Sequence, residues 1–210
     1  MKITKYPQSC IVIENNNQRL IIDPGSLVSP KFKAESLLPI DAILITHEHQ
    51  DHADPLLIES LLNNKKVPVI ANDSAQAVLG DLVTKIVKDN EIFEIGSFRI
   101  TCRELPHVDM IDGSKGPKNT GYIVNDIFFH PGDGIEISNL QVNSAAVPIA
   151  GPDISPKDIF GFIKEIGART VIPIHYDYFK ADPVFYEDMF KNRGLETKFV
   201  ILNNGQSCEI

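Results

Sequence analysis

Residues His47 to His52 read His-Glu-His-Gln-Asp-His, an H-x-H-x-D-H array that holds three of the chain's six histidines. At this chain's own frequencies of histidine and aspartate, such a match would arise by chance in about 4 of 10,000 chains, which keeps the false-positive risk of a short motif small. Imidazole and carboxylate are both good ligands for a borderline divalent ion such as Zn²⁺, and His47, His49, Asp51 and His52 at the end of a strand can face two neighbouring metal positions. A helix would not present all of them on one side. The bland alternatives are a polar surface loop or a single structural metal. Against them, further histidines and carboxylates follow predicted strands in Leu105-Pro106-His107, His130-Pro131-Gly132-Asp133 and Ile172-Pro173-Ile174-His175. An active site at one edge of a β-sandwich requires that convergence.

Positioning these groups falls to short β-rich elements. Cys10–Glu14 and Arg19–Asp23 are β-branched runs separated by Asn15-Asn16-Asn17, which reads as a hairpin ending at Asp23-Pro24-Gly25. Asp41–Thr46 is an apolar run too short for a helix and predicts a buried strand that delivers the array. Pro55–Leu62 and Asp73–Leu79 read as helices flanking a strand at Val67–Ala71, and Lys85–Arg103 as two or three strands broken at Asp89-Asn90 and Gly96-Ser97. A polar loop is expected over Leu105–Asn119. A second hairpin follows, Thr120–Asn125 with Ile127–His130, and it ends at Pro131-Gly132-Asp133 much as the first ends at Asp-Pro-Gly. Then come an apolar run at Val142–Ile149, a Ser-capped helix over Ser155–Ile166, a buried strand at Thr170–Ile174, a helix at Pro183–Lys191 and a closing β pair within Lys198–Glu209. The halves share an order of hairpin, loop, strand and helix, which points to two sheets with helices outside. No linker-like segment interrupts the chain, so residues 1–210 read as one domain.

Composition narrows the function classes. The 210 residues are 43% hydrophobic and 23% charged, which excludes a disordered tail, a collagen-like fibre and a disulfide miniprotein. The net charge of −8 and the absence of a basic run longer than Lys65-Lys66 disfavour a nucleic-acid partner. Cys10, Cys102 and Cys208 form no CxxC pair and read as reduced strand residues of a cytoplasmic protein. No window approaches the roughly 18 apolar residues of a membrane span.

Taken in order, Asp23, the His47–His52 array, His107, Asp133 and His175 resemble the metallo-β-lactamase superfamily, and the resemblance runs along the whole chain. It implies an α+β fold, a four-layer αββα sandwich. It also implies His47, His49 and His107 on one metal, Asp51, His52 and His175 on the other, and Asp133 bridging the two. Asp23 and Thr46 would orient ligand imidazoles, since a coordinated histidine donates its other N–H to a nearby acceptor. Bland rivals stand beside these roles: His107 as a solvated loop residue, His175 as a strand-end core histidine, Asp133 and Asp23 as turn residues. His130 lies outside the usual ligand set and reads as a group behind the ligands, a substrate-facing residue or a core residue. Thr-His-x-His-x-Asp-His, Gly-Asp and Pro-Ile-His-Tyr-Asp are similar to the branch of ascorbate-phosphate lactonase-like proteins and short uncharacterised metal-dependent hydrolases. Gly134 departs from it, because many relatives have Thr there.

Two divalent ions, zinc first with manganese and iron as alternatives, are the implied cofactors. Held about 3.5–4 Å apart, such ions lower the pKa of a bridging water toward ~7. The expected reaction is hydrolysis of a small substrate, a lactone, ester or phosphodiester that is anionic if the local positive charge of the metals attracts it. Asp51 and Asp133 are the expected catalytic groups, as proton shuttles. Lys115 and Lys118 would pair with an anionic substrate, or are simply solvated; Tyr176 would donate to a substrate oxygen, or packs. The rival functions are a nuclease of the same superfamily, an iron-dependent redox enzyme, and a non-catalytic metal-binding protein. Diiron flavoproteins typically carry Glu where this chain has His49. A homo-oligomer is left open.

Overall fold

The β-branched runs are buried on both faces, so the strands must lie between other layers. In the computed structural model, which describes residues 1–210, Ile11–Asn15 (β2) and Gln18–Ile22 (β3) form the first hairpin, with Ile13 opposite Leu20. Asn16 and Asn17 turn it at φ 48° and 61°, positive values that asparagine tolerates. Lys2–Lys5 (β1) adds to β2, and β3 is followed by three parallel neighbours, Ala42–Leu44 (β4), Val69–Ala71 (β5) and Lys85–Ile86 (β6). The short helix Ala34–Leu37 (α1) lies between β3 and β4, Pro55–Asn64 (α2) between β4 and β5, and Asp73–Leu79 (α3) between β5 and β6.

The second half repeats this plan. Ile92–Ile95 (β7), Phe98–Pro106 (β8), Lys118–Val124 (β9) and Phe128–His130 (β10) run antiparallel, and Ser144–Pro148 (β11), Thr170–Ile174 (β12) and Lys198–Phe199 (β13) continue in parallel. Pro156–Glu165 (α4) joins β11 to β12 and begins with a capping box between Ser155 and Asp158; Pro183–Lys191 (α5) joins β12 to β13. The last strand, Ser207–Glu209 (β14), returns to the first sheet beside β1.

Three apolar layers hold the four structural layers together. Ile3, Ile13, Leu20 and Ile22 of the first sheet pack on Phe98, Ile100, Tyr122 and Phe128 of the second. Leu57, Ile58 and Leu61 of α2 cover the outer face of the first sheet; Ile159, Phe162 and Ile163 of α4, with Phe190 of α5, cover that of the second. The chain therefore forms the αββα sandwich that the resemblance implied. The predicted hairpins, strands and helices are present, with three differences. Lys198–Glu209 is not a β pair, because β13 joins the second sheet and β14 the first. The polar loop is shorter than expected, since β8 runs to Pro106 and pairs it with Lys118. The sequence reading also passes over β1 and α1. No disulfide forms, and Cys10 and Cys102 are buried. No helix is long and apolar enough to cross a membrane.

Tyr122 on β9 is fully buried and donates its hydroxyl to the Ile45 carbonyl at 2.8 Å, linking the sheets just before the histidine array. Tyr122→Phe leaves that carbonyl without its partner and is expected to lower stability by about 1–3 kcal/mol, a fall in Tm of about 2–4 °C per kcal/mol, read in thermal and urea melts. An unchanged melt would show that the link between sheets carries no stability.

Candidate metal centre

Each predicted ligand follows a strand end on the same edge of the sandwich. His47 comes shortly after β4, His107 directly after β8, Asp133 shortly after β10 and His175 directly after β12, and Asp23, expected to orient a ligand ring, comes directly after β3. The turn that carries Asp51 needs Gly25 beneath it, because a Cβ there would overlap the Asp51 carbonyl. Gly134 has a similar cause: its Cβ would meet the Leu105 side chain, with the Pro106 carbonyl 2.8 Å away.

The hydrogen-bond partners decide which imidazole nitrogens carry protons. A carboxylate or a carbonyl only accepts. His52 Nδ1 lies 2.8 Å from Asp23 Oδ2, His107 Nδ1 2.6 Å from the Val108 carbonyl and His175 Nδ1 2.6 Å from the Ala150 carbonyl, so all three donate Nδ1–H. Thr46 donates its hydroxyl to Asp23 Oδ2 at 2.7 Å, which leaves Oγ1 to accept Nδ1–H of His47 at 3.0 Å. Asp23 also accepts the Thr46 N–H at 2.8 Å and is fully buried. With Nδ1 engaged in this way, the rings of His47, His52, His107 and His175 aim Nε2 inward, as a lone pair wherever the ring is neutral. His49 meets them with Nδ1, 3.1 Å from His47 Nε2.

Those lone pairs face carboxylate oxygens. Asp133 Oδ2 is 2.9 Å from His175 Nε2, 3.6 Å from His107 Nε2 and 4.0 Å from His47 Nε2, while Asp133 Oδ1 is 3.2 Å from His52 Nε2. Asp51 Oδ2 is 3.4 Å from His175 Nε2 and 3.9 Å from His52 Nε2. His52 Nε2, His107 Nε2 and Asp133 Oδ1 are buried without a hydrogen-bond partner. Acceptors packed against acceptors call for positive charge between them. Burial opposes charge on His175, but Asp133 and Asp51 overcome it and push its pKa up to about 9. His52 is raised in the same way, against burial, by Asp133, Asp23 and Asp51. Burial, aided by His52, keeps His47 low.

The donors fall into two sets, His47, His49, His107 and Asp133, and Asp51, His52 and His175, with the donor atoms of each set within 4.8 Å of one another. Asp133 contacts both sets. The donor chemistry and the orphaned atoms fit divalent metal binding.

The remaining predicted residues sit elsewhere. His130 is fully buried, donates Nε2–H to the Ser9 carbonyl at 2.8 Å and accepts the Gly132 N–H on Nδ1 at 3.2 Å. It clamps the β1–β2 turn to the Asp133 turn and does not line the cavity over the ligands. Tyr176 packs under Lys5, 4.5 Å from its ring centroid, and its hydroxyl donates to the Leu202 carbonyl at 3.3 Å. Lys115 pairs with Asp109, and Lys118 with Asp73 and Glu104; neither lines the cavity over the ligands. Glu48 turns out of the array and accepts from Ser74 Oγ of α3.

One residue with a role here had no signal in the sequence. Gln8, buried at φ 62°, donates Nε2–H to Asp51 Oδ2 at 2.9 Å, accepts the Tyr178 N–H on Oε1 at 3.3 Å and accepts the His175 N–H on its carbonyl at 3.0 Å. Its own N–H donates to Asp177 Oδ2 at 2.8 Å, a carboxylate that also holds the buried Lys5 ammonium at 3.0 Å. The β1–β2 turn is a strut beneath Asp51 and His175.

Removing the acceptor that fixes His52 and, through Thr46, His47 frees both rings. Asp23→Ala is expected to weaken metal binding by about 10–100-fold, measured by competition with a chelating indicator on protein whose circular dichroism is unchanged. Wild-type affinity in that variant would show that the rings are oriented by other means.

A beta-lactamase superfamily domain model matches residues 2–175. Among curated relatives, a UPF0173 metal-dependent hydrolase of Bacillus cereus is 27% identical over 211 residues, 91% of either chain, and one of Nanoarchaeum equitans is 26% identical over the full length of both. The solved structure of Igni18, a metallo hydrolase of Ignicoccus hospitalis, superposes with a TM-score of 0.80 at 20% identity, covering 100% of this chain and 98% of that one. With its fold, its ring of inward-facing donors and these likenesses together, the chain belongs to the metallo-β-lactamase superfamily of metal-dependent hydrolases.

Proposed function

We propose that the protein binds two divalent cations, zinc first among them, and hydrolyses a small substrate at a carbonyl or phosphoryl centre. The observation that carries this reading is the cluster of inward-facing Nε2 and carboxylate atoms at His47, His52, His107, His175 and Asp133, of which His52 Nε2, His107 Nε2 and Asp133 Oδ1 are buried without a hydrogen-bond partner. His47, His49 and His107 would hold one ion, Asp51, His52 and His175 the other, and Asp133 both. When bound, two such ions supply an activated water and polarise the oxygen of the bond to be cleaved.

The protein groups divide the remaining work. Asp23, Thr46 and the carbonyls of Val108 and Ala150 hold the rings in one tautomer, so no donor has to reorganise during the reaction. Asp133, 5% exposed, is shut away from solvent and serves to hold charge. Asp51, 32% exposed, reaches the cavity and can take the proton of the attacking water and pass it to the leaving group. Gln8 keeps the Asp51 carboxylate turned toward His175 while it does so. Five imidazoles with two carboxylates suit zinc better than magnesium or calcium, which prefer oxygen ligands.

Metal analysis of protein purified without added metal, followed by assays of lactones, phosphodiesters and thioesters with that metal, tests the reading. The expected result is two equivalents of metal and turnover of at least one ester-type substrate. Changing His47, His49 and His52 together to Ala is expected to remove metal and turnover in parallel. Retention of metal at the wild-type stoichiometry in that variant would overturn the ligand assignment, and one iron with oxygen consumption would replace hydrolysis by redox chemistry.

A further inference from the structure

A cavity of about 400 Å³ opens over the ligand cluster. Beyond the ligands themselves its wall is mostly apolar, Leu27, Met110, Pro152, Tyr178 and Phe179 with the polar Ser26 and Gln50, and no lysine or arginine lines it. Among basic side chains near its rim, Lys31 pairs with Asp177 at 3.7 Å, Lys115 with Asp109 at 2.9 Å and Lys118 with Asp73 at 3.1 Å, whereas Lys180, next to Phe179, has no ion-pair partner but does not line the cavity. Within the cavity itself an anionic group would meet no cation apart from the metals. Tyr178 and Phe179 are large apolar groups left 66% and 41% exposed, an arrangement that marks a contact surface. They stand edge to face at 5.2 Å, and the Phe179 ring lies 5.7 Å from that of His175. Gln8 holds the Tyr178 backbone, so this aromatic wall is fixed to the same strut as Asp51. Wall and ligands are therefore joined through one hydrogen-bonded strut, with apolar side chains beside the ligands.

We propose that this wall receives an uncharged apolar group of the substrate, an aryl ring or a medium-length alkyl chain borne by the hydrolysed carbonyl or phosphoryl centre. Substrates that carry a free carboxylate or phosphate at that end are disfavoured. The inference rests on the hydrolytic reading of the metal centre and assigns Tyr178 and Phe179 as its specificity-determining residues.

The test uses zinc-loaded protein and hydroxamic acids as probes, with affinity read by calorimetry. Burying one methylene is worth roughly fourfold in affinity. Across an open cavity, hexanohydroxamic acid is expected to bind at least about tenfold tighter than acetohydroxamic acid. A chain of the same length ending in a carboxylate gains nothing. In Tyr178→Ala/Phe179→Ala, with metal content and circular dichroism as controls, the tail-dependent gain falls to about twofold or less. Equal affinities along the series, tighter binding of the carboxylate-tailed probe, or a tail preference that survives the double variant would overturn the inference. Turnover of 4-nitrophenyl acetate and hexanoate is measured alongside. Tail discrimination without any turnover supports the apolar wall and overturns hydrolysis alone. Turnover with no tail preference overturns the wall alone, and failure of every hydroxamate to bind overturns both.

Discussion

Hydrogen bonds on the far side of the imidazoles govern the centre. His52, His107 and His175 each surrender Nδ1–H to an atom that can only accept, and His47 does so through the Thr46 hydroxyl. Their lone pairs are thereby forced toward one another and toward two carboxylates, an arrangement that no neutral protein group can satisfy. The sandwich bears the strain of this. Gln8, Asp23 and His175, which hold the centre together, adopt left-handed backbone angles of 62°, 53° and 60°. Such angles cost side-chain-bearing residues on the order of 1–3 kcal/mol each and persist only where the surroundings over-determine them.

Over-determination comes from the seam between the sheets. Asn72 donates to the Thr46 carbonyl at 2.9 Å and to Thr120 Oγ1 at 3.2 Å while its Oδ1 caps α3, so one amide joins a helix start, the histidine array and the second sheet. Asn119 donates to the Pro131 carbonyl at 2.9 Å and accepts the Asp133 N–H at 3.4 Å. His130, with both ring nitrogens engaged, does the same for the β1–β2 turn. The two halves repeat one strand plan, and their strand ends deliver chemistry from both sides to a common edge.

The sequence made some of this legible and hid the rest for physical reasons. The His47–His52 array is local, so its spacing alone announces metal chemistry. His107, Asp133 and His175 were readable because each lies just past a predicted strand. Gln8 was not, because its partner Asp51 is 43 positions away and an isolated glutamine in a turn carries no ligand signal. Lys115 and Lys118 suggested anion binding because sequence shows charge and not its neutralisation; the partners of Lys118 lie on α3 and β8. The split of β13 from β14 was hidden too, since two short runs near one another look like a hairpin until the sheets they complete are known. β1 and α1, four residues each, are too brief to show a period.

The sheet borders have a consequence of their own. The first sheet is bounded by β14 and β6, three and two residues long, and the second by β13 and β7, two and four. An unpaired strand border is a template on which another chain can build a main-chain ladder, and brevity is one of the ways natural sheets deny it. Ile86 on β6 and Ile92 on β7 are half exposed there, yet too few free N–H and C=O groups accompany them to seed a growing fibril. Borders this short disfavour edge-to-edge growth of the fourteen-strand framework.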